Sequence, residues 1–466
     1  MPSAEVCVCA DFGSTFTKAL LVDLADGRVL ATASAPTTIG TDVLDGYDAC
    51  LAELAATDPR AETAAVLACS SAGGGLRIAV VGNEELVTAE AGRRVALSSG
   101  GKVVGVLALS RDDDFADLAG WEPDVVLLTG GTDGGNPDAL LDGARGLADA
   151  GWDGPVVIAG NVEARDEAAE ILRGRAPCVL AENVVPRIGV LAPDGARAAI
   201  REMFLEHVIG GKHLSSRTTA RGETFLDLVR GATPDIVLRG VELLARGLDE
   251  ARPGAGDVVV VDVGGATTDV HSVVEVDAET RDSGLSREVV ATTPVTRTVE
   301  GDLGMRWSAV STVAAAAEAG LPGVEGLAEP AAARRADPSY LPLDETARDV
   351  DEAIARAAAA LALRRHAGRA KVVVSPEGRV VERTGKDLRE VDLLVGSGGV
   401  LRHGRPGVAD RVLAGSTGEA VDGGWQLPRN PAVVVDADYV LAGVGLLAED
   451  HPRAAHALAA TLRSGG

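Results

Sequence analysis

The chain has 466 residues, 46% of them apolar, enough for more than one hydrophobic core and for two or three lobes. Its formal charge of −25 repels phosphate backbones and anionic lipid surfaces, so neither nucleic acid nor a membrane is expected as a partner. No apolar run reaches the roughly 18–20 residues of a membrane span, and the opening MPSAEV has neither region of a secretory signal, so a cytoplasmic location is expected. Five cysteines (7, 9, 50, 69 and 178) form no CxxC pair, and seven scattered histidines show no zinc spacing, which reads as reduced thiols.

Residues 5–33 read as a strand, a tight turn and a hairpin through LADGRVL, with Asp26-Gly27 at the turn. Within it, ADFGSTFTKALLVDL places Asp11 at the end of the first strand. Gly13 frees the backbone to turn its N–H groups toward an anion, and Ser14, Thr15 and Thr17 add hydroxyl donors. Lys18 supplies a point charge. Asp11 cannot meet a phosphate directly, because two anions would face each other; a hydrated Mg²⁺ between them removes the conflict.

From about 101 to 190 the rhythm changes to βαβ units, KVVGVLALS, DVVLLTGG, PVVIAGN and PCVLAEN separated by helices, as in an inserted parallel α/β section with its own small core. RDDDF at 111–115 reads as a solvated helix start. The glycine-rich loop TGGTDGGN, which includes Gly130 to Asn136, leaves two readings open. It is either a local turn, with Asp133 capping and Pro137 in the first helical turn, or a ligand or partner site at the sheet edge.

Helices are expected at about 194–209 and 234–248. DVVVVDVGGATTDVHSV then repeats the earlier logic: Asp262 after a valine strand, Gly264 and Gly265 for close backbone approach, Thr267 and Thr268 for hydroxyls, then Asp269. The units at 5–24 and 257–276 share one form, which implies two related halves that each grip one side of a triphosphate. A long helix over 344–366 and a hairpin KVVVSPEGRVVE precede VDLLVGSGGVLRHG. There Gly396, Ser397, Gly398 and Gly399 offer bare backbone to an adenine and ribose. No Walker loop follows the Gly-Lys pairs at 101, 211 and 385, and Gly443-Val-Gly445-Leu-Leu-Ala448 reads as close helix packing.

These three elements resemble the phosphate-1, phosphate-2 and adenosine motifs of the actin, heat-shock-chaperone and sugar-kinase ATPase superfamily. In that setting TVEGDLGMRW, with Gly301 and Asp302, follows the second hairpin, and ADYVLAGVGLLA matches the small-residue helix near the C-terminus. A closer resemblance rests on LLTGGTDGGN, VVIAGN, REMFLEHVIGGK, VVDVGGATTDVHSV, VEGDLGMRW and GSGGVL. Together they are similar to the glutamate mutase accessory family, GlmL or MutL, unrelated to the mismatch-repair protein of that name.

The resemblance implies a two-lobed actin-like ATPase of duplicated ribonuclease H-like α/β domains. The first lobe would span 1–100, the inserted section 101–190, connecting helices 191–256 and the second lobe 257–466. It also implies ATP and Mg²⁺ as cofactors, with Asp11 and Asp262 as catalytic groups that hold the metal through water. The partners would be subunits of an adenosylcobalamin-dependent carbon-skeleton mutase, served by a chaperone or reactivating factor, and homo-oligomers fit the same picture. No DxHxxG cobalamin motif occurs, so the chain is not the mutase itself. Three alternatives remain at this stage: a small-molecule kinase using Asp302 or Asp269 as base, an ATP-dependent hydantoinase or oxoprolinase, and a nonenzymatic scaffold.

Overall fold

The computed structural model describes residues 5–109, 115–275, 293–375, 378–418 and 424–463; the acidic residues of the expected helix start at 111–114 lie outside these. The chain forms two compact units. One takes the chain up to Gly240 together with Ala442–Leu458, and the other takes most of the chain from Val241 to Leu441 and its last residues.

In the first unit, β1 (Val6–Phe12), β2 (Phe16–Asp23) and β3 (Val29–Pro36) form an antiparallel meander, and β4 (Ala65–Ser70) lies parallel to β1 on its other side. Every residue of β1 is buried, which is why VCVCADF shows no apolar–polar alternation: the strand is covered on both faces. The helix Val43–Thr57 supplies part of that cover. Asp42 caps it by accepting from the Leu44 amide, and Leu44, Tyr47 and Leu54 enter the core that contains Phe12.

The chain then builds β5 (Leu76–Gly82), β6 (Gly101–Ala108), β7 (Val125–Leu128), β8 (Val156–Ile158) and β9 (Cys178–Leu180) into an all-parallel sheet of order β6-β5-β7-β8-β9. It returns as β10 (Val229–Ala232), parallel to β4, and completes the first sheet as β10-β4-β1-β2-β3. Two boundaries therefore differ from the expected ones. The parallel sheet starts at Leu76, not near 101. Only one of its faces has a separate core, around Val81, Leu128 and Ile158; Ile78, Val80 and Leu127 belong to the core of the first sheet. The span expected as connecting helices holds β10, a four-residue strand too short to carry a periodic signal.

The second unit opens with a small ladder of β11 (Gly247–Asp249) and β12 (Arg252–Pro253). Next come β13 (Val258–Val263), β14 (Thr268–Val273) and β15 (Val295–Glu300) as an antiparallel meander, and β16 (Arg369–Ser375) and β17 (Gly378–Thr384) as a separate hairpin. β18 (Leu393–Ser397) runs parallel to β13, and β19 (Ala432–Val435) runs parallel to β18. The order β19-β18-β13-β14-β15 repeats that of the first sheet strand for strand, with the same senses. The fold is thus a duplicated, actin-like α/β ATPase fold. Its first copy carries β5–β9 between the fourth and fifth strands, where the second carries, among the described residues, only short helices such as Val408–Leu413.

The helix Glu345–His366 covers the second sheet. Asp344 caps it through the Ala347 amide (2.8 Å), and its run of buried alanines lets it enter the core of that unit. Among the described residues no helix is long and apolar enough to cross a membrane.

The last helical segments explain the isolated Gly-x-Gly. A Cβ on Gly445 would stand 1.9 Å from the Ile236 carbonyl oxygen, and one on Gly443 would stand 3.0 Å from a Leu20 methyl. The pair is a packing device within the first unit. Gly445→Ala should therefore cost about 3 kcal/mol of stability, because backbone cannot move aside as a leucine methyl can, and Gly443→Ala should cost clearly less. Urea unfolding of the two variants checks this; equal losses would contradict it.

Candidate functional site

Each sheet brings an aspartate to the end of its central strand, and the hairpin register fixes what stands opposite. In the first unit Asp11 pairs with Lys18 and Phe12 with Thr17; in the second Asp262 pairs with Asp269 and Val263 with Thr268. The two turns are superimposable in logic. A Cβ on Gly13 would stand 2.5 Å from the Phe16 carbonyl oxygen, and one on Gly264 would stand 2.8 Å from that of Thr267. Neither glycine has a positive φ, so close approach rather than left-handed backbone is what requires glycine here.

Strand alternation divides the predicted hydroxyls. Ser14 and Thr15 lie exposed on the first turn, and their hydroxyls make no hydrogen bond among the described residues. Thr17 faces the other way, fully buried on the Phe12 side, with its hydroxyl 3.1 Å from that of Thr37. Thr268 is its counterpart: buried, facing away from Asp262, and donating to the Leu303 carbonyl (3.1 Å). Thr17 and Thr268 are therefore not available as direct donors; they lock their hairpins to the segments beneath. Gly265 is exposed on the second turn and Thr267 half-buried.

Asp11 is 3% exposed and held in place by groups that the sequence reading did not select. Thr233, at the end of β10, donates its hydroxyl to Asp11 Oδ1, and the Cys69 thiol on β4 donates to the same oxygen (3.5 Å). In the second unit the residue that follows the fifth strand of the sheet is Asp436, just after β19. Asp436 is 1% exposed and accepts from the Val440 and Leu441 amides (2.7 and 3.2 Å). Burial raises its carboxyl to about 6; the two amides and Arg402 oppose the shift and the charge of Asp262 adds to it. Burial likewise raises Asp269, with Arg297 opposing (3.1 Å) and Asp262 adding. The sequence signal for Asp436 was present: AVVVD repeats the valine-strand-then-aspartate pattern of VVVVD. Thr233 and Arg297 carry no local signal, since each acts through a neighbouring strand.

The second turn is clamped from one side. Met305 and Arg306 donate their amides to Gly264 and Gly265 (2.9 and 2.8 Å), and Ser308 donates to the carbonyls of Ala266 and Gly301 (2.6 and 3.1 Å). Asp302 lies in this segment, but Arg365 grips both of its oxygens (2.6 and 2.9 Å) and holds its carboxyl below the usual range. On β18, Ser397 stands opposite Asp262 and is buried; Gly396 faces Leu401 and Leu413, and Gly398, at φ +105°, has its α-carbon against the Val263 backbone. A Cβ on Gly399 would meet nothing, which leaves open backbone at that point.

The donor set fits Mg²⁺ held through water. Among the described residues no cluster of three or more metal-ligating side chains forms a direct cage, yet Asp262 and Asp269 stand in register across one hairpin with like charges. A hydrated divalent cation takes few carboxylates, and Arg297 already pairs with Asp269, which leaves Asp262 as the carboxylate to face it.

The loop Gly130–Asn136 is tied to its neighbours at the C-terminal edge of the parallel sheet. Asp133 accepts from the Val162 amide and from Asn183 Nδ2 (3.2 and 2.8 Å), and Asn183 also donates to Gly131 (3.0 Å). Glu163 accepts from the Gly134 amide (2.8 Å), and Asn136 caps the following helix by accepting from Asp138 (3.0 Å). These bonds make it a bracing loop that joins the ends of β7, β8 and β9.

A family model described as MutL protein matches residues 7–462. The chain belongs to the MutL family. It is 36% identical over 455 residues to Protein MutL of Clostridium tetanomorphum, covering 95% of this chain and 96% of that one. Among solved structures it is similar to a ligand-bound xylulose kinase from Lactobacillus acidophilus (12% identity, 98% of this chain and 92% of that one, TM-score 0.34). It is also similar to the ethanolamine utilization protein EutJ from Carboxydothermus hydrogenoformans (10% identity, 98% and 91%, TM-score 0.29).

A carboxyl whose folded pKa is raised favours the folded state fully below its unfolded pKa and loses that contribution as pH rises through the folded value. For Asp436 the window runs from about 4 to about 6. Nucleotide-free protein should lose on the order of 1–3 kcal/mol across it from this group, and Asp436→Asn should lack that component. Thermal melts of both proteins at pH 4.5 and 7.5 check this; the same pH dependence in both would refute it.

Proposed function

We propose that this MutL-family chain is an ATP-dependent accessory protein, a chaperone or reactivating factor, for an adenosylcobalamin-dependent carbon-skeleton mutase, glutamate mutase or a related amino-acid mutase. The observation that carries the ATP-dependent part is the pair of equally registered strand-Asp-turn-strand units, each with a glycine that no larger residue could replace. The mutase part rests on family membership across nearly the whole chain.

In this reading Ser14, Thr15, Gly13 and Lys18 hold phosphate oxygens at the first turn, and Gly264, Gly265 and Thr267 do so at the second. Asp11 and Asp262 orient the water shell of Mg²⁺, and Asp262 also positions the attacking water. Gly396 through Gly399, with Ser397 between them, line the adenosine side. A bound Mg²⁺ would neutralise the phosphate charge that Asp11 and Asp262 alone would repel. Thr233 and Cys69 keep the Asp11 carboxylate aimed before nucleotide binds.

A kinase needs a free carboxylate base at its substrate hydroxyl, and the ion pairs of Asp302 with Arg365 and of Asp269 with Arg297 weigh against that alternative.

An ATPase changes a partner's state only through differential affinity, so its ATP-bound and ADP-bound forms must bind the mutase unequally. Asp262→Asn should lower Mg-ATPase turnover on the order of 10²-fold or more, since phosphoryl transfer depends on positioning and charge neutralisation. Mutase inactivated by turnover, then given this protein, Mg-ATP and fresh cofactor, should release its corrinoid and recover activity. Equal long-term recovery with a nonhydrolysable analogue would replace reactivation by a holdase role. Stimulation of ATP consumption by a small hydroxylated or lactam substrate, with no effect on the mutase, would replace it by the kinase or hydantoinase alternative.

A further inference from the structure

No residue of REMFLEHVIGGK, 201–212, belongs to either phosphate turn, yet each end of this stretch is tied to a group that holds Asp11 or its neighbour. Arg201, on the helix Asp194–Met203, grips both oxygens of Asp235: its Nε donates to one (2.7 Å) and an Nη to the other (3.1 Å). Asp235 is 2% exposed and lies in the first turn of the helix Thr233–Arg246, two residues after the threonine whose hydroxyl donates to Asp11. Arg197, one turn before Arg201, approaches the same carboxylate (3.9 Å). A planar guanidinium paired with a buried carboxylate fixes direction as well as distance. The ion pair therefore sets where that helix begins, and with it where the Thr233 hydroxyl stands. Gly100 hems in the same backbone, since a Cβ there would stand 2.7 Å from the Asp235 amide.

At the other end Lys212 donates to the Gly73 carbonyl (3.2 Å) and to Asp124 (3.3 Å), which also accepts from the Arg77 amide (2.8 Å). Gly73 belongs to the loop after β4, and the Ser71 amide of that loop donates to the carbonyl of Phe12, the residue after Asp11 (2.9 Å). His213, next to Lys212, is held at φ +48°, in the left-handed region that a β-carbon disfavours. Between the two ends Phe204–Val208 make one π-helical turn, with Phe204 and Val208 in the core of the first sheet. Turns of this kind recur at functional positions.

We propose that residues 201–212 are the element that aims Asp11, with Arg201 and Lys212 as positioning residues for the water shell of Mg²⁺. The inference rests on the function proposed above and adds to it the residues, outside both turns, that fix the metal-facing carboxylate. Arg201 acts on the side chain, through Asp235 and Thr233. Lys212 acts on the backbone, through the Gly73 loop and Phe12. Mg²⁺ accepts little departure from octahedral geometry, so a carboxylate that meets it through water must be held in direction as well as in place.

The test follows binding of a nonhydrolysable ATP analogue to the full-length protein by calorimetry over a series of Mg²⁺ concentrations. In Arg201→Gln the half-saturating Mg²⁺ concentration should rise on the order of tenfold or more, as it does when an indirect support of a metal ligand is lost. Arg201→Lys, which keeps the charge and loses the paired bonds, should fall between that variant and wild type. If Arg201→Gln folds poorly because Asp235 is left buried, Arg201→Gln/Asp235→Asn removes both charges and should show the same rise. Lys212→Met should raise the half-saturating concentration by about threefold or more, since it acts on the backbone rather than on the carboxylate. Glu202→Gln, exposed on the same helix, should bind as wild type does. A merely structural role gives another result: fewer folded molecules lower the number of binding sites and leave the half-saturating concentration where it was.

Wild-type half-saturation in both Arg201→Gln and the double variant removes Arg201 from this role, and in Lys212→Met it removes Lys212, with the proposed function intact. An equal rise in Glu202→Gln overturns the assignment to these two residues. Wild type that binds no nucleotide at any Mg²⁺ concentration overturns the proposed function, and the positioning role with it.

Discussion

The structure turns on a carboxylate buried at the end of a strand that is itself buried on both faces. Such a group is costly unless its partners are fixed in advance. The first unit meets the cost with the Thr233 hydroxyl and the Cys69 thiol on one oxygen, and with Lys18 in register across the hairpin. The second unit keeps the position but changes the company: Asp262 faces Asp269, and Asp436 is the residue that follows the last strand of the sheet, as Thr233 is in the first. The duplication is therefore symmetric in backbone and asymmetric in charge. One copy carries a cation beside its aspartate, and the other accumulates acids, two of which have raised pKa values for which burial is the main cause.

That asymmetry accounts for much of the surrounding architecture. Arg297 on β15 is needed because Asp269 would otherwise be a half-buried, unpaired charge. The 301–308 segment must lie close to the second turn, with Gly304 against the Ala266 backbone, because Thr268 has turned its hydroxyl toward Leu303. The first hairpin is held by hydrogen bonds such as that between Thr17 and Thr37 and by packing, with the Phe12 ring edge-on to Phe225 at 4.8 Å.

What the sequence revealed and what it hid follow one physical division. Strand-aspartate-x-glycine is a local pattern, so both turns and their glycines were legible from single stretches. The direction of Thr17 and Thr268 was not, because it depends on which residue pairs with Asp11 or Asp262, and turn length sets that register. Once Asp11 opposes Lys18, residue 17 must face away. Thr233 was invisible for a different reason. Its role exists only because β10 pairs with β4 across the whole β5–β9 sheet, a contact between parts of the chain remote in sequence. Asp436 had a local signature like that of Asp262 but sat far from any glycine turn, so nothing marked it as belonging to the same site.

The placement of Ala442–Leu458 in the first unit has a consequence for how the chain is made. Gly443 packs beside Leu20 and Cys9, so the sheet that starts at Val6 lacks part of its cover until Ala442–Leu458 has been synthesised. The second sheet is complete once β19 exists, so it can close before the first, although it begins later. The sheet that emerges first can thus be the later one to close, and its hairpin keeps an incompletely covered strand until Ala442–Leu458 emerges. Long-range closure of this kind is slow and leaves apolar surface open meanwhile. A ribosome pausing just after β19 would therefore hold a completed second sheet while the first still lacks this part of its cover.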